Sequence, residues 1–226
     1  MIVITGASRG IGLAIAQFLS INGKDVIGVS RTKPVEKVGF RFVEGDVSSH
    51  GSLNEISQSL KREGVEIEAL ICSAGVASMN LALMTPEKVV RKVVEINLMG
   101  TIFSNQVFSK LMLRRGGTIL NFSTIAVPLA LSGESIYVAS KAGVEGFSRT
   151  FAREVSAHGI RVNCIAPGPI RTDLLNGVSE GQIKKITDRQ IIQRSFEKDD
   201  VVNLVSCLLD DGLSSISGQV FHIGGV

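Results

Sequence analysis

The stretch Ile2-Val3-Ile4-Thr5-Gly6-Ala7-Ser8-Arg9-Gly10-Ile11-Gly12 joins a short apolar run directly to a turn that holds three glycines. An apolar β-branched run of this length reads as a buried strand, and the residues from Gly10 onward take up helical periodicity. A glycine-rich turn between a strand and a helix lets backbone N–H groups approach a phosphate, and the helix N-terminus adds the positive end of its dipole. The three glycines then differ in what they do. Gly6 takes the tight turn, Gly10 leaves room for phosphates, and Gly12 lets the helix pack closely on the sheet.

Outward from this unit the pattern repeats. Short runs rich in Val and Ile fall near residues 1 to 5, 25 to 30, 39 to 44, 67 to 72, 117 to 122, 160 to 165 and 218 to 223, and predict seven strands. Helical periodicity fills 10 to 22, 50 to 63, 86 to 114, 134 to 158 and 198 to 210, with Pro86 in a first turn. Alternation of this kind builds a parallel sheet covered by helices on both faces, an α/β doubly wound architecture. No repeat or linker divides the 226 residues, so a single domain over 1–226 is expected. The least regular region is 168 to 196, and residues 174 to 196 are the natural substrate lid; Leu174, Leu175, Val178, Ile183 and Ile186 supply its apolar content.

Composition excludes several classes. Lys plus Arg number 24 against 21 for Asp plus Glu, too even a balance for nucleic acid or an anionic membrane surface as the main partner. No apolar run approaches the roughly 18 residues needed to cross a bilayer. Cys72, Cys164 and Cys207 are far apart within apolar segments, so buried free thiols in a reducing cytoplasm are expected. His50 and His222 have no partner at metal-binding spacing.

The TGxxxGxG spacing over Thr5–Gly12 resembles the short-chain dehydrogenase/reductase family. The resemblance implies a Rossmann-type sheet of order 3-2-1-4-5-6-7 with a nicotinamide dinucleotide along its C-terminal edge. Relatives that prefer NAD carry an acid where the second strand here ends in Ser30, followed by Arg31. A hydroxyl at Ser30 with guanidinium groups at Arg9 and Arg31 suits a 2′-phosphate, so NADP(H) is the expected cofactor. Ser8 and Ile11 complete the turn. Asp46-Val47 resembles the family's adenine-contacting pair, and Cys72-Ser73-Ala74-Gly75 stands where relatives carry NNAG, keeping small residues while losing the amides. In NCIAPGPIRTD, residues 163 to 173, Pro167 and Gly168 shape the turn beside the nicotinamide, while Ile170 and Thr172 meet it.

The catalytic chemistry is expected from Tyr137-Val138-Ala139-Ser140-Lys141, whose i, i+4 spacing puts the chain's single tyrosine and a lysine on one helix face. A nearby ammonium and the positive charge of oxidised nicotinamide favour phenolate, drawing the Tyr137 phenol down toward general acid/base use. Relatives place a serine thirteen positions before the tyrosine to steady the substrate oxygen; Thr124 occupies that position, with Ser123 beside it pointing to the other face of an extended strand. Asn97, in EINLMG, matches the asparagine that completes the family's tetrad by holding a water in a proton relay to the lysine.

The segment from Ser140 to Asp173 is most similar to 3-oxoacyl-[acyl-carrier-protein] reductases, and HIGGV at 222 to 226 resembles the family's closing segment. Reduction of a 3-oxoacyl thioester, with acyl carrier protein as a partner, is therefore implied. Arg115 matches one of the two arginines with which such enzymes dock the carrier, and His158 stands in place of the other. The apolar stretch AVPLALSGESI before Tyr137 leaves open another ketone or alcohol substrate, such as a sugar, a steroid-like molecule or a secondary metabolite. The altered Thr124 and CSAG positions leave open a non-catalytic NADPH-binding scaffold. Long helices at 86 to 114 and 134 to 158 are those through which relatives assemble as homotetramers or homodimers.

Overall fold

The computed structural model describes residues 1 to 172 and 179 to 226. Seven parallel strands form one sheet: β1 Ile2–Thr5, β2 Val26–Ser30, β3 Arg41–Glu44, β4 Ala69–Cys72, β5 Gly117–Phe122, β6 Ile160–Pro167 and β7 Val220–Ile223. Their order is β3-β2-β1-β4-β5-β6-β7, as the resemblance implied. Every residue of β1, β2 and β4 is buried, the continuous apolar run of strands covered on both faces. β6 runs two residues past its expected end, because Ala166 and Pro167 pair with His222 and Ile223.

Helices α1 Gly10–Ile21 and α8 Lys198–Leu208 cover one face, where Ile15, Ala16 and Leu19 meet Val201, Val202 and Val205 against Ile4, Ile71 and Leu120. On the other face lie α2 His50–Arg62, α3 Glu87–Val94, α4 Gly100–Phe108 and α6 Ser135–Val155; Leu53, Leu60, Phe108 and Phe151 are buried there against Val3, Leu70 and Val162. α2 starts cleanly because the Ser49 hydroxyl accepts from the Ser52 N–H at 3.2 Å, and it ends with Lys61 and Arg62 at the negative end of its dipole.

The expected 86 to 114 helix is three pieces. Pro86 precedes α3 with extended backbone rather than sitting in its first turn, and a π-helical segment, Glu95–Met99, separates α3 from α4. Two helices were not expected from periodicity: the four-residue α5 Ala126–Leu129, and α7 Glu180–Thr187 within the segment read as irregular. α7 has no fully buried residue, which is why its pattern is weak; a Ser179–Gln182 capping box defines its start. Cys72 and Cys164 are buried thiols as expected, whereas Cys207 is exposed, because it falls on the outer side of α8.

Candidate active site

The C-terminal ends of β1, β2, β4, β5 and β6 open onto a cavity of about 1000 Å³. At one end the turn after β1 supplies Gly6, Ser8, Arg9, Gly10, Ile11 and Gly12. Gly6 and Gly10 have φ of 75° and 61°, the left-handed region that glycine takes without strain. A Cβ on Gly6 would lie 2.7 Å from the Ala74 backbone, and one on Gly12 would collide with the Ser73 hydroxyl and the Gly6 carbonyl. Beside Gly10, by contrast, only Thr172 among the described residues comes within 4 Å, leaving an open cradle at the N-terminus of α1.

Ser30, Arg31 and Thr32 line the cavity at the end of β2. The Ser30 hydroxyl is buried and has no hydrogen-bond partner among the described residues, a state that folded proteins rarely leave unanswered. The orphaned hydroxyl, two arginines and an open glycine cradle make a donor set that fits a phosphorylated dinucleotide. Asp46 and Val47 also line the wall; Asp46 Oδ1 additionally organises its own turn by accepting from the Ser48 N–H at 2.9 Å and the Ser48 hydroxyl at 2.7 Å. Val47 packs on Gly100, where a Cβ would lie 2.9 Å from a Val47 methyl.

In the middle, Ser73, Ala74 and Gly75 continue from β4. Ser73 ties β4 to β1 by donating from its hydroxyl to the Thr5 carbonyl at 2.7 Å. Thr5 is thus buried behind the wall rather than on it. Pro167, Gly168, Ile170 and Thr172 form the opposite side after β6. Gln190 is buried beneath this loop against Gly168, and an isolated bridge joins Ile170 to Phe196. Of the expected lid, Leu174, Leu175 and Val178 lie outside the described residues. Ile186 of α7 reaches the cavity wall, and Arg189 donates to the Leu129 carbonyl at 2.8 Å.

Thr124, Tyr137 and Lys141 meet at the other end of the cavity. Thr124 follows β5, and its hydroxyl accepts from the Ala126 N–H at 3.2 Å, which leaves its own proton free to donate. Ser123 donates instead to buried Glu145 at 2.6 Å, so its hydroxyl is committed elsewhere. The buried Lys141 ammonium donates to the Phe122 carbonyl at 2.8 Å, and burial lowers its pKa to about 8. Asn97 sits in the π segment, fully buried and behind the wall. Its amide accepts from the Val76 N–H at 2.8 Å and donates to the Val76 carbonyl at 2.9 Å and the Ser140 hydroxyl at 3.1 Å, and Ser140 in turn donates to the Tyr137 carbonyl at 2.7 Å. Wider π turns recur at functional sites.

The protein's own groups around Tyr137 raise its pKa rather than lower it. Burial raises its pKa, the neighbouring Glu134 carboxyl raises it further, and Thr124 only partly opposes this. Among the protein's own groups, burial first and the Glu134 carboxyl second hold the phenol neutral. Burial also pushes the Cys72 and Cys164 thiols up, to about 12 and about 11, so both stay protonated at neutral pH. Glu134, Leu131, Lys92 and Ile96 line the cavity without having been singled out in the sequence. The signal for Glu134 was present: it stands at i−3 to Tyr137, on the same helix face.

Fold and cavity together define a dinucleotide-binding oxidoreductase, and comparison with known proteins places it. The family model described as Enoyl-(Acyl carrier protein) reductase matches residues 6–225. The chain belongs to the short-chain dehydrogenase/reductase family. It is 30% identical over 231 residues to the 3-oxoacyl-[acyl-carrier-protein] reductase FabG of Escherichia coli K12, covering 99% of this chain and 95% of that one. It is 32% identical over 235 residues to the reductase of the same name from Staphylococcus epidermidis, covering 99% and 96%. Among solved structures, the ligand-free aldohexose dehydrogenase of Thermoplasma acidophilum superposes with a TM-score of 0.89 at 26% identity, covering 99% of this chain and 92% of that one. A 4-hydroxyisoleucine dehydrogenase complexed with NADH gives 0.90 at 26% identity, covering 99% and 97%.

Proposed function

We propose that this protein is an NADP(H)-dependent reductase of 3-oxoacyl thioesters. The observation that carries the cofactor reading is the partnerless buried hydroxyl of Ser30 beside Arg31, with Arg9 across the same end of the cavity. The relatives' names, and the gathering of Thr124, Tyr137 and Lys141 at the far end, carry the reaction.

The turn shaped by Gly6 and Gly12 would hold the pyrophosphate at Gly10, Asp46 and Val47 the adenine, and Pro167, Gly168, Ile170 and Thr172 the nicotinamide. The bound nicotinamide supplies a hydride to the carbonyl carbon. Thr124 donates a hydrogen bond to the substrate oxygen. Tyr137, kept neutral by burial, donates its proton to that oxygen, whose developing alkoxide is far more basic than a phenolate. Lys141 stabilises the phenolate left behind and returns a proton to it, and Asn97, fixed by its bonds to Val76 and Ser140, would hold the water that feeds that relay. The assembly is a homotetramer or homodimer through the helical segments 86 to 114 and 134 to 158; sedimentation equilibrium showing only monomer at micromolar concentration excludes it.

One observation favours a second reading, a ketone or alcohol substrate free of a carrier protein. Arg115, the candidate docking residue, is ion-paired with Glu66 at 2.9 Å. NADPH absorbance followed with acetoacetyl-carrier protein and acetoacetyl-CoA, with NADH in parallel and Tyr137→Phe as control, decides. Rapid, NADPH-selective, tyrosine-dependent oxidation supports thioester reduction. Binding of NADPH without turnover of either thioester refutes it and leaves the carrier-free reading.

A further inference from the structure

Glu134 sits at the N-terminal boundary of α6, where an acidic side chain ordinarily caps the helix by accepting from its first free N–H groups. Here the carboxyl makes no cap hydrogen bond; only the backbone of Glu134 takes part in starting the helix, its carbonyl accepting from the Val138 N–H at 2.7 Å. The residue is 8% exposed, and its carboxyl forms no hydrogen bond or ion pair among the described residues. It lines the cavity with Leu131, Thr124 and Tyr137, close enough to Tyr137 to act on its ionisation. Its carboxyl oxygens carry no bond to the described residues yet are not sealed off as the Ser30 hydroxyl is, so they stay open to the cavity they line and free to accept from a group bound there.

We propose that Glu134 is a specificity-determining residue: its carboxyl accepts a hydrogen bond from a hydroxyl or N–H group of the substrate near the reacting carbonyl, and it rejects substrates with a carboxylate there. The inference rests on the reading of Tyr137 as the proton donor, because it is the spacing of one helical turn between the two side chains that puts the second substrate group within reach of Glu134. An amide N–H of a thioester arm and a hydroxyl of a polyol both satisfy the requirement, so the assignment narrows the substrate by chemistry without depending on a carrier protein.

Three ketones test it: 4-hydroxy-2-butanone, its methyl ether 4-methoxy-2-butanone, and acetoacetate. The wild-type enzyme is expected to favour the hydroxyketone over the ether by about 10-fold or more in kcat/KM, the usual size of a hydrogen bond to a charged acceptor, and to use acetoacetate least. Glu134→Leu should bring the hydroxyketone and ether within about twofold of each other and raise acetoacetate at least about 10-fold. Glu134→Gln, which keeps an acceptor oxygen and is nearly isosteric, should retain the hydroxyl preference while admitting acetoacetate. Ratios unchanged in Glu134→Gln for acetoacetate, or a wild type that prefers the ether, overturn the proposal. If none of the ketones turns over, the same ordering is required of their dissociation constants on NADP⁺-loaded Tyr137→Phe protein, and equal constants overturn it. Acetoacetyl-CoA run alongside separates the two readings: loss of thioester turnover with the Glu134 ratios intact defeats only the thioester assignment, and the converse defeats only the role of Glu134.

Discussion

Replacing Lys141 by Met should change how stability depends on pH in a way that follows from its burial. The ammonium is 4% exposed, donates to the Phe122 carbonyl, and titrates at about 8 instead of 10.5 because burial disfavours the charged form. Below pH 8 both the folded and unfolded chains hold this proton, and the cost of burying the charge is fully present. Between pH 8 and 10.5 the folded chain has released the proton while the unfolded chain keeps it, so stability rises with pH. With those two pKa values, the lysine's contribution grows by about 2 kcal/mol from pH 7 to 9.5. The buried thiols and Tyr137 act in the opposite direction as pH climbs toward and past 9; Tyr137 does so in both proteins and cancels in the difference, and the thiols cancel except for their coupling to the Lys141 charge. The assay is urea unfolding of cofactor-free wild type and Lys141→Met at matched concentration, in half-unit steps of pH. The stability of wild type minus that of the variant should climb by about 2 kcal/mol across the range. A flat difference refutes the depressed pKa, and with it the picture of a dry site around Lys141.

Three further outcomes are expected. Gly12→Ala drives a methyl into the Ser73 hydroxyl and the Gly6 carbonyl, neither of which can retreat, and should cost on the order of 2–3 kcal/mol while abolishing NADPH binding measured by fluorescence. Ser30→Asp replaces the orphaned hydroxyl with a carboxylate, and should move the NADH-to-NADPH ratio of kcat/KM by about 100-fold toward NADH; an unchanged ratio removes Ser30 from cofactor selection. Ala130 is the one non-glycine residue with positive φ, 50°, among the described residues. Ala130→Gly should therefore stabilise by about 0.5–1 kcal/mol, read as a rise of about 2 °C in Tm.

The parts of the fold that were legible are those where one physical requirement dominates a run of residues. Strands buried on both faces are dominated by apolar side chains, so β1, β2 and β4 stood out, and the turn after β1 was readable because only glycine fits at Gly6 and Gly12. α7 escaped because a helix lying on the surface with no buried side chain leaves no stripe, and the break of helix 86 to 114 escaped because a π turn preserves composition while widening the backbone. Strand alternation could not separate Thr124 from Ser123, because β5 ends at Phe122 and both residues line the cavity; what distinguishes them is the Ser123–Glu145 bond, which the sequence does not show. Glu134 was missed for a different reason: an acid at the start of a helix is common, and nothing in its identity says that its carboxyl turns away from the helix end and into the cavity.

The nucleotide turn is closed from behind by a strand far along the chain. Gly6 rests on Ala74, and Ser73 bonds the Thr5 carbonyl 68 residues away. A newly made segment holding only β1, α1 and β2 would have all the glycines and no backstop to shape them. Dinucleotide cannot therefore template the early steps of folding; it can only capture chains in which β4 has already docked beside β1, and so it stabilises the finished sheet by mass action. Because parallel pairings of this span form slowly, the interval before β4 docks is when the chain most depends on being shielded from aggregation.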